Sequence, residues 1–237
     1  MSYPGHAWLS HWLAVLPSQC AICHAWPTQR ICADCCAQWA TPMARCSRCA
    51  QLLPAGTAVC GACLRHPPLL KHCVAAVDYA YPWRSLLTDF KFRGDTGLAR
   101  CLAGLLLATP EARQLLAECD GLIPMPLSSQ RLKERGFQQS LLLARPLARA
   151  TGARLLSQAV LRLHTGQAQH DLPRAQRLRQ LRGVFSVHHA RASQIAGRKL
   201  LLLDDIMTTG ASLHALADCL LRAGASQVSA MVVARTP

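Results

Sequence analysis

Leu200, Leu201, Leu202 and Leu203 follow Lys199 without a polar interruption, the pattern of a short strand buried on both faces. After an intervening stretch, Leu213, Leu216, Ala217 and Leu220 recur at helical spacing, Gly224 stops the helix, and residues 228–234 return as a strand. The segment therefore predicts a βαβ unit. Upstream, the same alternation predicts a strand over 74–80, helices over 83–92 and 98–109, and a short buried strand over 121–125. Pro126 and a basic loop come next, and then a helix over 137–150 with Pro146 as a kink. Strands alternating with helices give an α/β fold, a parallel sheet flanked by helices.

Residues 1–66 follow a different pattern. Residues 8–16 are apolar but short, have no basic segment before them and run into Pro17, so they predict a packing helix rather than a signal sequence. Eight of the thirteen cysteines then fall in four C-x-x-C pairs: Cys20 and Cys23, Cys32 and Cys35, Cys46 and Cys49, Cys60 and Cys63. Two residues between cysteines make a tight turn that aims both thiolates at one ion, and two such turns complete a tetrahedral site. A disulfide scaffold fits poorly, because an odd number of cysteines remains and no export signal precedes them. A thioredoxin-like pair would need one such motif at a helix start after a strand, not four in a loop-rich stretch. Zinc is the expected metal, in two closed structural sites. Sequential closure joins Cys20, Cys23, Cys32 and Cys35 at one ion and Cys46, Cys49, Cys60 and Cys63 at the other; interleaved pairing remains open, as does substitution by Cys36, His24 or His66. Arg65, His66, Pro67 and Pro68 read as the linker, giving a domain over 1–66 and a second over 67–237. Cys73, Cys101, Cys119 and Cys219 read as buried small apolar residues.

Composition narrows the function. A net charge of +14, mostly from arginine, calls for a polyanionic partner, either a phosphorylated metabolite or a nucleic acid. Residues 164–183 carry Arg174, Arg177, Arg179 and Arg182 with almost no acids, as expected of a phosphate-facing segment or of a solvated helix. No apolar run reaches the length of a membrane span, which predicts a soluble, cytoplasmic protein.

The chemistry is concentrated where the leucine run ends. Asp204 and Asp205 are acceptors only, suited to ribose hydroxyls and, directly or through water, to a divalent ion. Thr208, Thr209, Gly210, Ala211 and Ser212 can offer successive N–H groups and hydroxyls at a helix N-terminus, an anion site, with Gly210 allowing close approach of the backbone. In an open α/β sheet this loop lies at the carboxyl edge, where ligands bind.

The string from Leu202 to Gly210 resembles the phosphoribosyl-pyrophosphate motif of type I phosphoribosyltransferases. With the paired cysteines, the chain resembles the ComF family, competence-associated proteins that include GntX, whose N-terminus carries a double zinc ribbon. The resemblance spans nearly the whole chain. It takes in Leu16 and Pro17 before Cys20, Lys91 within residues 90–94, and Pro124, Arg131, Arg135, Gly136, Phe137 and Gln139. It also takes in Gln169, Arg177 and Phe185. Gln138 and Gln180 depart from it, each standing where asparagine is usual and lengthening the arm that carries the amide.

The resemblance implies association with DNA uptake or natural transformation. It also implies a reaction: magnesium-bound phosphoribosyl pyrophosphate with its 5-phosphate on Thr208 to Ser212 and its ribose on Asp204 and Asp205. Lys91, Arg131 and Arg135 would stabilise the departing pyrophosphate. Two other classes compete. One is a nucleic-acid-binding accessory protein that holds single-stranded DNA or contacts DNA-uptake proteins, although adjacent carboxylates repel a DNA backbone unless a metal ion intervenes. The other is a regulator that senses the phosphoribosyl ligand without turnover.

Overall fold

The computed structural model describes residues 18–163 and 183–237. The helix expected over 8–16, the arginines Arg174, Arg177, Arg179 and Arg182, and Gln169 and Gln180 lie outside the described residues. Contacts gather the chain into two compact units, Met1–Thr41 and Pro42–Pro237.

In the first unit, an antiparallel bridge between Ser18 and Thr28 closes the first cysteine turn, and helix α1 (Ala33–Trp39) follows the second. Cys32 caps that helix, its sulfur accepting the Cys35 N–H.

The second unit opens with the other two cysteine turns and helix α2 (Gly61–Arg65) and continues into a parallel sheet. Its strands are β1 (Cys73–Asp78), β2 (Gly121–Pro124), β5 (Lys199–Met207) and β6 (Gln227–Arg235), in the order β1-β6-β5-β2. A short antiparallel pair, β3 (Val160–Arg162) with β4 (Phe185–Val187), stands apart from it. Side chains alternate across β5, so Leu200 and Leu202 join Val228, Ala230 and Val232 under helix α8 (Ala211–Arg222), whose Leu213, Leu216, Ala217 and Leu220 are all buried. Helices α4 (Leu98–Ala108) and α7 (Gln139–Thr151) pack against each other and against β6 and β5 respectively.

The predicted βαβ unit is present, β5 and β6 pairing in parallel around α8. Its strand is longer than the leucine run. Pairing continues through Asp204 with Val232 and Ile206 with Ala234 to Met207 with Arg235, so both aspartates are strand residues and the loop is confined to Thr208, Thr209 and Gly210.

Other boundaries also differ. The expected helix over 83–92 is α3 (Trp83–Thr88) followed by a widened π turn (Asp89–Arg93), closed by Gly94 at φ 72°. Beyond α4 a further helix, α5 (Pro110–Glu118), begins on a proline whose missing N–H is not needed in a first turn. The expected basic loop holds helix α6 (Ser129–Arg135), capped by Ser128. Cys73 is buried, but Cys101, Cys119 and Cys219 are only half-buried. The thiols of Cys119 and Cys219 find backbone acceptors at Leu116 and Phe185, a polar alternative to full burial. Among the described residues no helix is long and apolar enough to cross a membrane.

Candidate functional site

The cysteines close sequentially. Cys20, Cys23, Cys32 and Cys35 form one group and Cys46, Cys49, Cys60 and Cys63 the other, the four sulfurs of each lying within 4.8 Å of one another, without Cys36, His24 or His66. Sulfur pairs stand 3.9 Å apart at Cys20 and Cys35, 3.7 Å at Cys23 and Cys32, and 3.7 Å at Cys49 and Cys60. A zinc tetrahedron with ~2.3 Å bonds to sulfur has edges of ~3.8 Å, whereas a disulfide would need ~2.05 Å.

The electrostatics agree with the spacing. Burial raises the Cys20 thiol, but N–H groups of Cys23, Cys32 and Ile22 outweigh it and bring it down to about 6. The same contest, with N–H groups of Cys60, Arg48 and Cys49, brings Cys46 to about 7. Burial and neighbouring cysteine sulfurs push Cys35 and Cys63 up, because four sulfurs so close cannot all ionise without a cation among them. Both groups have the donor set and spacing of a closed, structural zinc site.

The second constellation is at the carboxyl end of β5. Asp205 is 4% exposed and Asp204 half-buried. Each is folded onto its own strand at the next residue: the Asp204 carboxylate accepts the Asp205 N–H at 2.9 Å, and that of Asp205 accepts the Ile206 N–H at 2.8 Å. Burial and then the Asp205 charge push Asp204 up to about 8, with the Asp205 N–H and the Lys91 charge only partly opposing them. The loop that follows requires a glycine. Gly210, at φ 74°, is the N-cap of α8, and a side chain there would strike the Met207 methyl and the His214 ring. Thr209 Oγ1 accepts the Ala211 N–H, and the helix directs its first-turn N–H groups out of this end.

Lys91 lies in the π turn after α3, a widening that recurs at functional positions. Its ammonium reaches Asp205 at 3.5 Å. Gln139, 3% exposed, donates to the Lys91 carbonyl at 3.2 Å, while Gln138 and Ser140 both donate to the Met125 carbonyl at 2.8 and 2.7 Å. The longer arm of Gln138 thus holds the end of the β2 segment.

The structure joins Lys91, Asp204 and Asp205, and sets the Arg135 guanidinium 5.2 Å over the ring of Phe92, the residue after Lys91. It adds Arg162, on β3, whose pKa is lowered by burial and by nearby Arg131 and raised by Asp204, so both arginines belong to this electrostatic neighbourhood. Nothing in its surroundings marks Arg162 beforehand, a lone cation in a short apolar run.

The family model for the phosphoribosyl transferase domain matches residues 144–237. The chain is 33% identical to the DNA utilization protein YhgH of Salmonella typhi, over all of this chain and 99% of that protein. It is 30% identical to competence protein F of Haemophilus influenzae, over 80% of this chain and 84% of that one. To competence protein ComFC of Bacillus subtilis it is also 30% identical, over 76% and 73%.

The two cysteine groups belong to different compact units, and this separates their effects. Elemental analysis of protein prepared without chelator should find about two zinc ions per chain. Cys46→Ser should lower the urea midpoint of the sheet-containing unit, corresponding to a loss of about 2–5 kcal/mol of unfolding free energy, the range for removal of a buried cross-link. Cys20→Ser should leave that midpoint unchanged.

Proposed function

We propose, from the premise that the chain belongs to the ComF family of DNA utilization and competence proteins, that it binds magnesium-phosphoribosyl pyrophosphate at the carboxyl end of β5 and serves DNA uptake. The observation that carries the reading is the placement of a carboxylate pair, Asp205 buried and Asp204 half-buried, shortly before a glycine-capped helix N-terminus, with a lysine on Asp205. One end offers acceptors for two hydroxyls, the other N–H donors for a phosphate, and a ribose 5-phosphate presents those groups in that order.

In this reading residues 1–66 carry the two zinc sites and residues 67–237 the sugar-phosphate site. Thr208, Thr209, Gly210, Ala211 and Ser212 hold the 5-phosphate, and Asp204 and Asp205 hold the ribose hydroxyls. Magnesium, when bound, neutralises the pyrophosphate oxygens. Lys91, Arg131 and Arg135 stabilise the negative charge that grows on the pyrophosphate as its bond to the anomeric carbon breaks. An acceptor atom then bonds to that carbon and surrenders its proton, giving the phosphoribosylated acceptor and pyrophosphate. Magnesium-dependent consumption of phosphoribosyl pyrophosphate in a panel of acceptors, nucleobases and single-stranded DNA among them, tests turnover; consumption without any acceptor dependence contradicts group transfer.

Binding is tested by calorimetry. Joint Asp204→Ala and Asp205→Ala replacement should weaken magnesium-phosphoribosyl pyrophosphate by ~100-fold or more, about 2.7 kcal/mol, because the hydroxyls and the ion lose their acceptors. Gly210→Val should do the same by another route, since a branched side chain disfavours φ 74° and meets Met207 and His214. Equal binding by wild type and both variants would put the ligand elsewhere.

The raised Asp204 gives a pH signature. Below about 8 the free protein keeps this carboxyl protonated, and a ligand that needs the carboxylate must expel that proton, so affinity should rise with pH up to that value. Calorimetry at pH 7 in two buffers of different ionisation heat should report ~1 proton released in wild type beyond that of the ligand itself, and none in Asp204→Asn. Equal proton release by the two proteins would remove Asp204 from the site.

A further inference from the structure

The third cysteine turn, Cys46 to Cys49, and the phosphate loop meet through one side chain. Arg235 ends β6 directly opposite Met207 in the sheet register. Its Nε donates to the carbonyl of Cys49 at 3.1 Å, and its Nη1 donates to the carbonyls of Thr208 at 2.6 Å and Met207 at 3.2 Å. A single planar guanidinium thus spans a residue of the second metal group and the first residue of the phosphate loop. Only arginine offers donors in a rigid fork that can face both directions at once.

A second path runs beside the first. The N–H of Cys73 donates to the carbonyl of Ser47, between the two cysteines of the same turn, at 2.8 Å. The thiol of Cys73, 2% exposed, points at the sulfur of Met207 at 3.5 Å. The methyl end of Met207 in turn occupies the space that a side chain on Gly210 would need. Both paths leave the turn bearing Cys46 and Cys49 and arrive at Met207 and Thr208.

That turn holds its shape through its sulfurs. With a cation among them, four thiolates fix the backbone of both cysteine turns; without it, they must protonate or separate, and the Cys49 and Ser47 carbonyls lose their fixed positions. We propose that Arg235 is a positioning residue that ties the phosphate loop to the second zinc site. Zinc at Cys46, Cys49, Cys60 and Cys63 and a sugar phosphate at Thr208 to Ser212 then strengthen each other's binding. The inference rests on the sugar-phosphate reading of the loop. Coupling of this kind is reciprocal, so the ligand must protect the metal as much as the metal prepares the loop.

The test uses the full-length, zinc-loaded protein with ribose 5-phosphate as the probe, which avoids the zinc-chelating pyrophosphate. Zinc retained at equilibrium against increasing concentrations of a chromogenic chelator is measured with and without the probe. In wild type, saturating ribose 5-phosphate should lower the zinc dissociation constant of one of the two sites ~5-fold or more, and this protection should persist in Cys20→Ser, which keeps only the second site. Arg235→Gln should still bind about two zinc ions, yet lose the protection and bind ribose 5-phosphate ~10-fold more weakly. Arg235→Lys, a single point of charge without the fork, should recover only part of either effect. Wild type that binds the probe but holds both ions with unchanged affinity overturns the coupling alone, and no variant is needed to see it. Protection that survives in Arg235→Gln overturns the role of Arg235, and wild type that fails to bind the probe overturns the coupling together with the reading of the loop.

Discussion

The parallel pairing of β5 with β6 beyond the last leucine is the constraint on which the site depends. It carries Asp204, Asp205 and Met207 into the sheet, where pairing with Val232, Ala234 and Arg235 holds the strand straight up to the loop. Two carboxylates fixed side by side in a partly dehydrated place cannot both be charged at little cost. One response is the raised Asp204; another is the Lys91 ammonium supplied by the π turn. The same pairing sets Thr208 at the mouth of the sheet and lets Gly210 turn the chain into α8, so carboxylate acceptors and helix N–H donors open at one edge.

How far this could be read beforehand varies along the chain. The leucine run, the helical spacing of Leu213, Leu216, Ala217 and Leu220 and the four cysteine pairs are strong local signals, and each appears in the structure as an element or a cluster. The extension of β5 was hidden because Asp204 and Asp205 are poor strand formers, and only the ladder with β6 overrides their preference. The π turn at Lys91 has no periodic signature, since an added residue breaks the helical pattern it would be recognised by. Arg162 and Arg235 were illegible for a different reason. Their significance lies in neighbours far along the chain, Asp204 for one and Cys49 with Thr208 for the other.

The cysteine groups show a related limit. Their spacing revealed two tetrahedral sites, but not that the second would share a compact unit with the sheet. That union rests on long-range contacts: Arg45 pairs with Asp78 at the end of β1 at 2.8 Å, Ala50 enters the core beneath the sheet, and Arg235 reaches Cys49. A metal module anchored in this way serves as part of the wall of the α/β unit. Its own small core could not supply comparable stability.

The carboxyl end of β5 is, on this reading, a sugar-phosphate pocket, and a crystal structure of the protein grown with magnesium and ribose 5-phosphate tests it without intermediary. The phosphate oxygens should lie on the N–H groups of Thr209, Gly210, Ala211 and Ser212, and the ribose hydroxyls on Asp204 and Asp205. A phosphate seated among exposed arginines, with the β5 loop empty and its aspartates bonded only to their own strand, would contradict it.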